Sequence, residues 1–334
     1  LDYMNPDPEK RFSFNAIEIE PIRDEHVQPS IELWTTKYRA VRQSVPELPG
    51  KWVKDLTAIT AFLEEHTGTD RGVVAKTKGD VIGYMVYDVF SFHGADTAFC
   101  PVIGHASIES GRARIYQEMY RYLSEVWVRD AALEHIVSFF SVDPQLRQAL
   151  FNLGFGLYVV DAFRSTYPFD SGGEATIRQA SLSDVEDLAC LGEESRQYYR
   201  EPPIFLVRRK QKRGYYEDFI RSKEAAVFVA ELEGMTVGFM SIRKNRRDDV
   251  ITLADKDTAM IDELGAYIQS ARRGYGVGAQ LLSSVIGWCS EQGIDQIHVD
   301  YESANLYAAG FWPKHFTPTM YSVRRRVNPD ILHG

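Results

Sequence analysis

Cysteine is scarce in this chain: Cys100, Cys190 and Cys289 stand far apart among 334 residues. An odd, widely spaced set builds no disulfide framework, so the fold must rest on buried apolar surface. Long apolar runs are missing too. No stretch of about 18 uncharged residues marks a membrane span, and no secretory leader precedes the first patterned segment. These absences lead us to expect a cytoplasmic protein without a membrane partner. Positive charge is in deficit, with 38 Lys and Arg against 47 Asp and Glu, a net of -9. A basic face for nucleic acid is therefore not expected. The eight histidines show no metal-ligand spacing and no H-E-x-x-H, so no metal is expected either.

What is present suffices for two hydrophobic cores: 44% apolar and 25% charged residues over a length that fits two domains. The chain also repeats itself. Residues 79–86 (GDVIGYMV) correspond to 234–241 (GMTVGFMS), and Ile22-Arg23 to Ile177-Arg178, all at a spacing of 155. Residues 98–110 correspond to 259–271, and Phe155 to Phe316, at a spacing of 161. The same order at two offsets predicts a duplicated α/β domain, with six extra residues in the second copy within 243–258. The cluster Pro168-Phe169-Asp170-Ser171-Gly172-Gly173 reads as the join. The expected domains are 12–168 and 175–329.

In the second copy, strands are expected at Thr176–Gln179, Ala225–Glu231, Thr236–Arg243, Met260–Ile268, Gln296–Asp300 and Thr319–Val327. Helices are expected from Ser181 to Tyr198, Gly276 to Gln292 and Ala304 to Phe311, with helix and loop between 199 and 223. Ser181 and Asp184 suit a capping box, and Gly293 suits a helix C-terminus. Leu281, Leu282, Val285, Ile286 and Cys289 share one apolar helix face, which makes Cys289 a core residue rather than a nucleophile.

The most informative segment is Arg272-Arg273-Gly274-Tyr275-Gly276-Val277-Gly278-Ala279, lying between a strand and an amphipathic helix. Glycines there let a backbone approach a phosphate. The first N–H groups of the helix have no partner in the helix, and its dipole favours an anion at that end. Two arginines add forked cationic donors. A dinucleotide site is a rival reading, since Gly274, Gly276 and Ala279 satisfy G-x-G-x-x-A and Asp300 ends a strand further on. Only 34 residues follow Asp300, too few for the further βαβ units of such a sheet.

The turn, read as Arg273-Gly274-Tyr275-Gly276-Val277-Gly278, resembles the Q/R-x-x-G-x-G/A motif of the GNAT superfamily of N-acetyltransferases. Residues 305–318 (NLYAAGFWPKHFTP) are similar to that family's N-x-x-A-x-x-F-W-x-K-x-G-F-x-P. The resemblance covers 175–327 in sequence and 17–168 in layout alone. It implies two tandem α/β domains, each a mixed, mostly antiparallel sheet flanked by helices. It implies acetyl-CoA as co-substrate, with the pyrophosphate on the glycine turn, the pantetheine arm along Ala266, Tyr267 and Ile268, and Asn305 as a further contact. A backbone N–H near Ile268 would serve the thioester oxygen. The reaction implied is acetyl transfer to a primary amine, on a small molecule first and a peptide or protein second.

A carboxylate on the fourth strand acts as base in this family. Glu263 and Asp262 stand there, and alternation along a strand lets one of them face the site. Tyr267, Tyr307 and Tyr321 are candidate acids; Trp312 occupies the position where many members carry a tyrosine, and His315 replaces a glycine. His298 and His315 lie near the proposed site. The run 208–213 (RRKQKR) reads as a solvated helix face or a contact for an anion. At a spacing of 161 the first copy puts Ile115 on Gly276, Gln117 on Gly278, Pro144 on Asn305, and Pro101 and Val102 on the two carboxylates. It is therefore expected to be a degenerate copy without a working site. The Trp312 substitution keeps open a catalytically silent acyl-CoA sensor.

Overall fold

The computed structural model describes residues 17–261 and 264–333. These described residues form two compact units: one holds 17–44, Trp52–Leu157 and 322–333, the other Val45–Lys51 and the described residues of Tyr158–Tyr321. The units are interleaved, unlike the contiguous ranges 12–168 and 175–329.

The first unit runs β1 (Glu18–Pro21), α1 (Asp24–Ser44), α2 (Thr57–His66), β2 (Gly72–Thr77), β3 (Asp80–Val86), β4 (Asp88–Phe92), β5 (Ala95–Cys100), β6 (His105–Ser107), α3 (Arg112–Arg129), β7 (Glu134–Phe140) and α4 (Pro144–Asn152). Strands β1, β2, β3 and β6 lie side by side, all antiparallel. Strand β5 instead runs parallel to β7, pairing Thr97–Cys100 with Glu134–Val137.

The chain continues with β8 (Gly156–Ser165), β9 (Thr176–Gln179), α5 (Val185–Tyr198), α6 (Arg213–Arg221), β10 (Ala225–Leu232), β11 (Met235–Lys244), β12 (Thr258–Ile261), β13 (Ala266–Ile268), α7 (Val277–Glu291), β14 (Gln296–Glu302), α8 (Leu306–Phe311) and β15 (Thr317–Arg326). In the second unit β9, β10, β11 and β13 are antiparallel neighbours, and β12 runs parallel to β14. The duplication is thus visible in register. Gly83 faces Ser107 as Gly238 faces Ile268, and a parallel pair follows an antiparallel set in each unit.

Strand β8 falls within the range 12–168 expected for the first domain. From Tyr158 it belongs to the second unit, because residues 159–165 pair antiparallel with β14. His298 on β14 is fully buried there with Nε2 3.0 Å from an Asp161 carboxylate oxygen on β8, which fixes it as structural. Strand β15 crosses the other way at Ser322. The Ser138 and Ser322 hydroxyls lie 2.7 Å apart in the first unit, and Arg324 donates to Glu134 at 2.6 Å.

Of the strand expected from Met260 to Ile268, the described residues give β12 up to Ile261 and β13 from Ala266, and the two pair differently. Strand β10 shows why the second sheet needs helices on both faces. Its run AAVFVA is buried throughout. Ala225, Val227 and Val229 pack with α5 and α6, whereas Ala226, Phe228 and Ala230 pack with Leu281, Leu282, Val285, Ile286 and Cys289 of α7. Period-two alternation thus sends every second side chain to each helix layer.

The entry to α5 is fixed electrostatically. Ser181 and Asp184 form the expected capping box. Arg178 donates to both Asp184 oxygens, at 2.8 and 2.6 Å, and to Glu231 at 2.6 Å. These bonds, Arg178 foremost, hold the Asp184 carboxyl down at about 2, against an ordinary 3.8. Its side chain is 6% exposed, so solvent screens the pair little on that side. A depressed folded-state pKa stabilises above the unfolded value and is lost as pH falls through it. Asp184→Asn is expected to cost roughly 1–2 kcal/mol near neutral pH. Urea unfolding across acidic pH should show that gap closing between about 4 and about 2; a gap constant with pH would disprove the assignment.

Candidate functional site

Among the described residues strand β13 pairs with β11 alone, and β12 pairs in parallel with β14 as far as Ile261–Val299. Among the described residues β13 and β14 share no ladder, which leaves one edge of β13 unpaired there. A cavity of about 520 Å³ opens there, walled by β13, the turn before α7, α8 and Tyr198-Tyr199 at the end of α5. That size suits a small-molecule or cofactor site. Ala266, Tyr267, Ile268, Arg272, Arg273, Gly274, Gly276, Val277, Gly278, Ala279 and Asn305 all line it. Tyr275 is 72% exposed and is not among the lining residues.

The three turn glycines have three different reasons. Gly274, at φ +87, has open space where a Cβ would lie. Gly276 is the N-cap of α7 at φ +81, and a Cβ there would come 2.7 Å from the Gly172 carbonyl oxygen. The join between the copies thus lies against the turn, held by Gln280, which donates to Ala175 O at 3.1 Å and accepts from Ala175 N at 3.2 Å. Gly278 sits inside α7, where a Cβ would press on the Phe311 ring at 3.1 Å. One of the three is therefore left open on the cavity side, and two are set by packing. The N-cap of α7, Gly276, has no side chain with which to cap the helix. Its first-turn N–H groups, at Val277, Gly278 and Ala279, lack helical partners and lie in the cavity wall, so the cradle fits an anion such as a pyrophosphate.

Both arginines line the cavity, and each also has partners within the protein. Arg272 pairs with Glu233 at 3.0 Å. Arg273 turns inward: its Nε donates to Ile268 O at 2.9 Å, and its guanidinium lies over the rings of Tyr198 and Tyr307 at 4.5 and 4.3 Å.

Asn305 caps α8, accepting from Ala308 N at 3.2 Å, and also accepts from the Tyr198 hydroxyl at 2.9 Å. Its amide nitrogen donates to the Tyr199 hydroxyl at 3.4 Å. Arg208 stacks 3.6 Å from the Tyr199 ring centre and pairs with Glu302 at 3.2 Å, which gives one member of the basic run a defined place. Burial, then the Glu302 charge, raises the Tyr199 phenol. Burial likewise raises Tyr198, with the Arg273 cation opposing, and Tyr267, with Glu194 adding to the rise. All three phenols are held neutral.

Asp262 and Glu263 lie outside the described residues. Tyr321 packs against the hydrophobic core and is not among the cavity-lining residues; Tyr307 and Tyr267 are. His315 lines the cavity between Phe169 and Phe311, its pKa lowered by burial and then by Arg164 and Lys314. Trp312 is buried against Phe311 and Phe316. Sequence reasoning missed Tyr198, Tyr199 and Glu194. Adjacent tyrosines ending a helix before a long loop were the available sign. Among the described residues no group of three metal-ligating side chains is found, and no helix is long and apolar enough to cross a membrane.

In the first unit the equivalent gap is filled. His105, at the position of Ala266, reaches from β6 to Ser138 O on β7 at 2.7 Å and meets the Tyr116 hydroxyl at 2.6 Å. Asp143 caps α4 through Leu146 N and binds Arg112 at 2.9 Å and Lys37 at 3.2 Å. All four of His105, Asp143, Arg112 and Lys37 are buried. The caps also correct the alignment of the copies. Gly111 at φ +69, rather than Ile115, corresponds to Gly276, and Asp143, rather than Pro144, to Asn305.

Residues 191–316 match the Acetyltransferase (GNAT) family. A GCN5-related N-acetyltransferase from Sphaerobacter thermophilus has the same fold at 12% identity and TM-score 0.54, covering 94% of this chain and 96% of that one. A GCN5-related glucosamine N-acetyltransferase region of a fungal multi-domain GH3 beta-N-acetylglucosaminidase is similar at 12% identity and TM-score 0.51, over 92% of this chain and 38% of that one. No curated protein matches. Residues 191–316 thus carry the match to the GNAT family, and the likeness in fold to a GCN5-related N-acetyltransferase extends over nearly the whole chain. The mostly antiparallel sheet removes the basis of the dinucleotide reading, which needs a doubly wound parallel sheet.

The glycine geometry is directly testable. Gly274→Ala is expected to cost about 1 kcal/mol, the strain of a left-handed alanine. Gly276→Ala should cost at least about twice that, since strain and collision with Gly172 combine. Urea midpoints decide; equal losses would mean that the join does not rest on the turn.

Proposed function

We propose that the second unit transfers an acetyl group from acetyl-CoA to a primary amine, on a small molecule in first place and on a peptide or protein in second. The observation that carries this reading is that the uncapped start of α7 and the unpaired edge of β13 open into one cavity. The N–H groups of Val277, Gly278 and Ala279 would hold the pyrophosphate, and the edge of β13 would pair with the amides of the pantetheine arm. Acetyl-CoA supplies an activated thioester. The chain supplies position, by holding an amine against that group, and a backbone donor near Ile268 where charge develops. Glu263, or Asp262 beside it, is assigned as the base that removes the amine proton. The hydroxyls of Tyr198, Tyr267 and Tyr307 line the cavity and are assigned as candidate donors to a leaving thiolate. Tyr321, packed on the core, is a weaker candidate. The filled gap around His105 and Lys37 supports one site per chain.

The second reading is a catalytically silent acyl-CoA binder, favoured by Trp312, whose indole replaces a phenol and is buried. A panel of primary amines with acetyl-CoA separates the two, followed by thiol release and product mass. Turnover with at least one amine, reduced about 10²- to 10⁴-fold in Glu263→Gln or Asp262→Asn, is expected. Acetyl-CoA binding with no acetylated product from any amine would favour the silent binder.

A further inference from the structure

Arg273 lies inside a cage of aromatic faces. Its guanidinium carbon is 4.5 Å from the Tyr198 ring centre, 4.3 Å from Tyr307 and 5.3 Å from Tyr267. The rings come from α5, α8 and β13, so the cage is a tertiary feature rather than a local stack. Its Nη1 is buried with no hydrogen-bond partner. Nε donates to Ile268 O at 2.9 Å, but a buried Nη1 without a partner costs free energy, so hydrogen bonding alone does not make this a good seat for a guanidinium. The ring faces, which attract any cation, do. The cage walls are also cavity walls.

We infer that this cage is the acceptor subsite, that it takes the positive charge of an alkylammonium group, and that Arg273 occupies it as an internal stand-in. The inference rests on the acetyl-transfer reading and deepens it by assigning a cationic acceptor. Arg273 immediately precedes Gly274, so the same side chain can serve an anion at the glycine turn, but its guanidinium cannot occupy both places. An anion on the turn draws Arg273 out and empties the cage; a cation in the cage displaces Arg273 toward the turn. The two ligands therefore strengthen one another, and the coupling is reciprocal.

Tetramethylammonium, which cannot be acetylated, is the probe. It is titrated calorimetrically into the full chain with and without saturating CoA. Affinity about tenfold or more higher with CoA is expected. Arg273→Met should bind the probe without CoA about as tightly as the unaltered chain does with it. Tyr198→Leu combined with Tyr307→Leu should lose the probe in both states while its thermal melt stays cooperative. If CoA binds and the probe's affinity does not change, or if Arg273→Met gains nothing, the inference is overturned while acetyl transfer stands. If CoA itself does not bind, the acetyl-transfer reading fails, and the Arg273→Met arm alone decides whether the cage takes a cation.

Discussion

Everything in the site follows from one backbone constraint: a strand that leaves its sheet must have its exposed N–H and C=O groups satisfied by something else. Both copies contain the same break. In the first, β6 stays with β3 while β5 runs with β7. In the second, β13 stays with β11 while β12 runs with β14. The two copies differ in what fills the wedge. His105 spans it in the first, with its pKa pushed down to about 3 by burial, so it is a neutral bridging group rather than a charge. Lys37, Arg112 and Asp143 complete the filling as a buried ionic cluster. Ala266 stands where His105 does and is exposed, and the wedge stays open. One copy has turned the gap into core and the other has kept it as a cavity.

Much of this was legible. The run AAVFVA, the glycine turn and the two offsets each report local geometry, and local geometry is what periodicity and glycine placement encode. The helix expected from Gly276 to Gln292 is Val277–Glu291, and Gly293 ends it at φ +69. The exchange of β8 and β15 was not legible, because a strand's pattern gives its faces and not its neighbours. The inward turn of Arg273 was not legible either. A long flexible side chain next to glycines reads as a phosphate donor, and only the tertiary arrival of Tyr198 and Tyr307 gives it another place. The role of Gly276 was found for an incomplete reason. The turn needs a glycine for its backbone angle and also because Gly172 lies against it. The constant offset misaligned Asn305 with Pro144 because the helix after β7 and that after β14 are matched by their caps, Asp143 and Asn305, one residue away.

The cap residues also show how a single position separates the copies. Asn305 is neutral and offers both a carbonyl and an amide to the tyrosines around it. Asp143 carries a charge that binds two buried cations. A carboxylate at the mouth of a wedge repels an anion, and in the first unit that carboxylate is taken up by its cationic neighbours. The copy with the neutral cap keeps the uncapped start of α7 open to the cavity.

The central claim is that one wedge is open and the other filled. Calorimetric titration of acetyl-CoA into the full chain tests it most directly, through stoichiometry. One equivalent bound per chain is the predicted result. Two equivalents would show that the first wedge opens despite His105 and the Lys37–Asp143–Arg112 cluster. No binding at millimolar acetyl-CoA would contradict the assignment of the cavity itself.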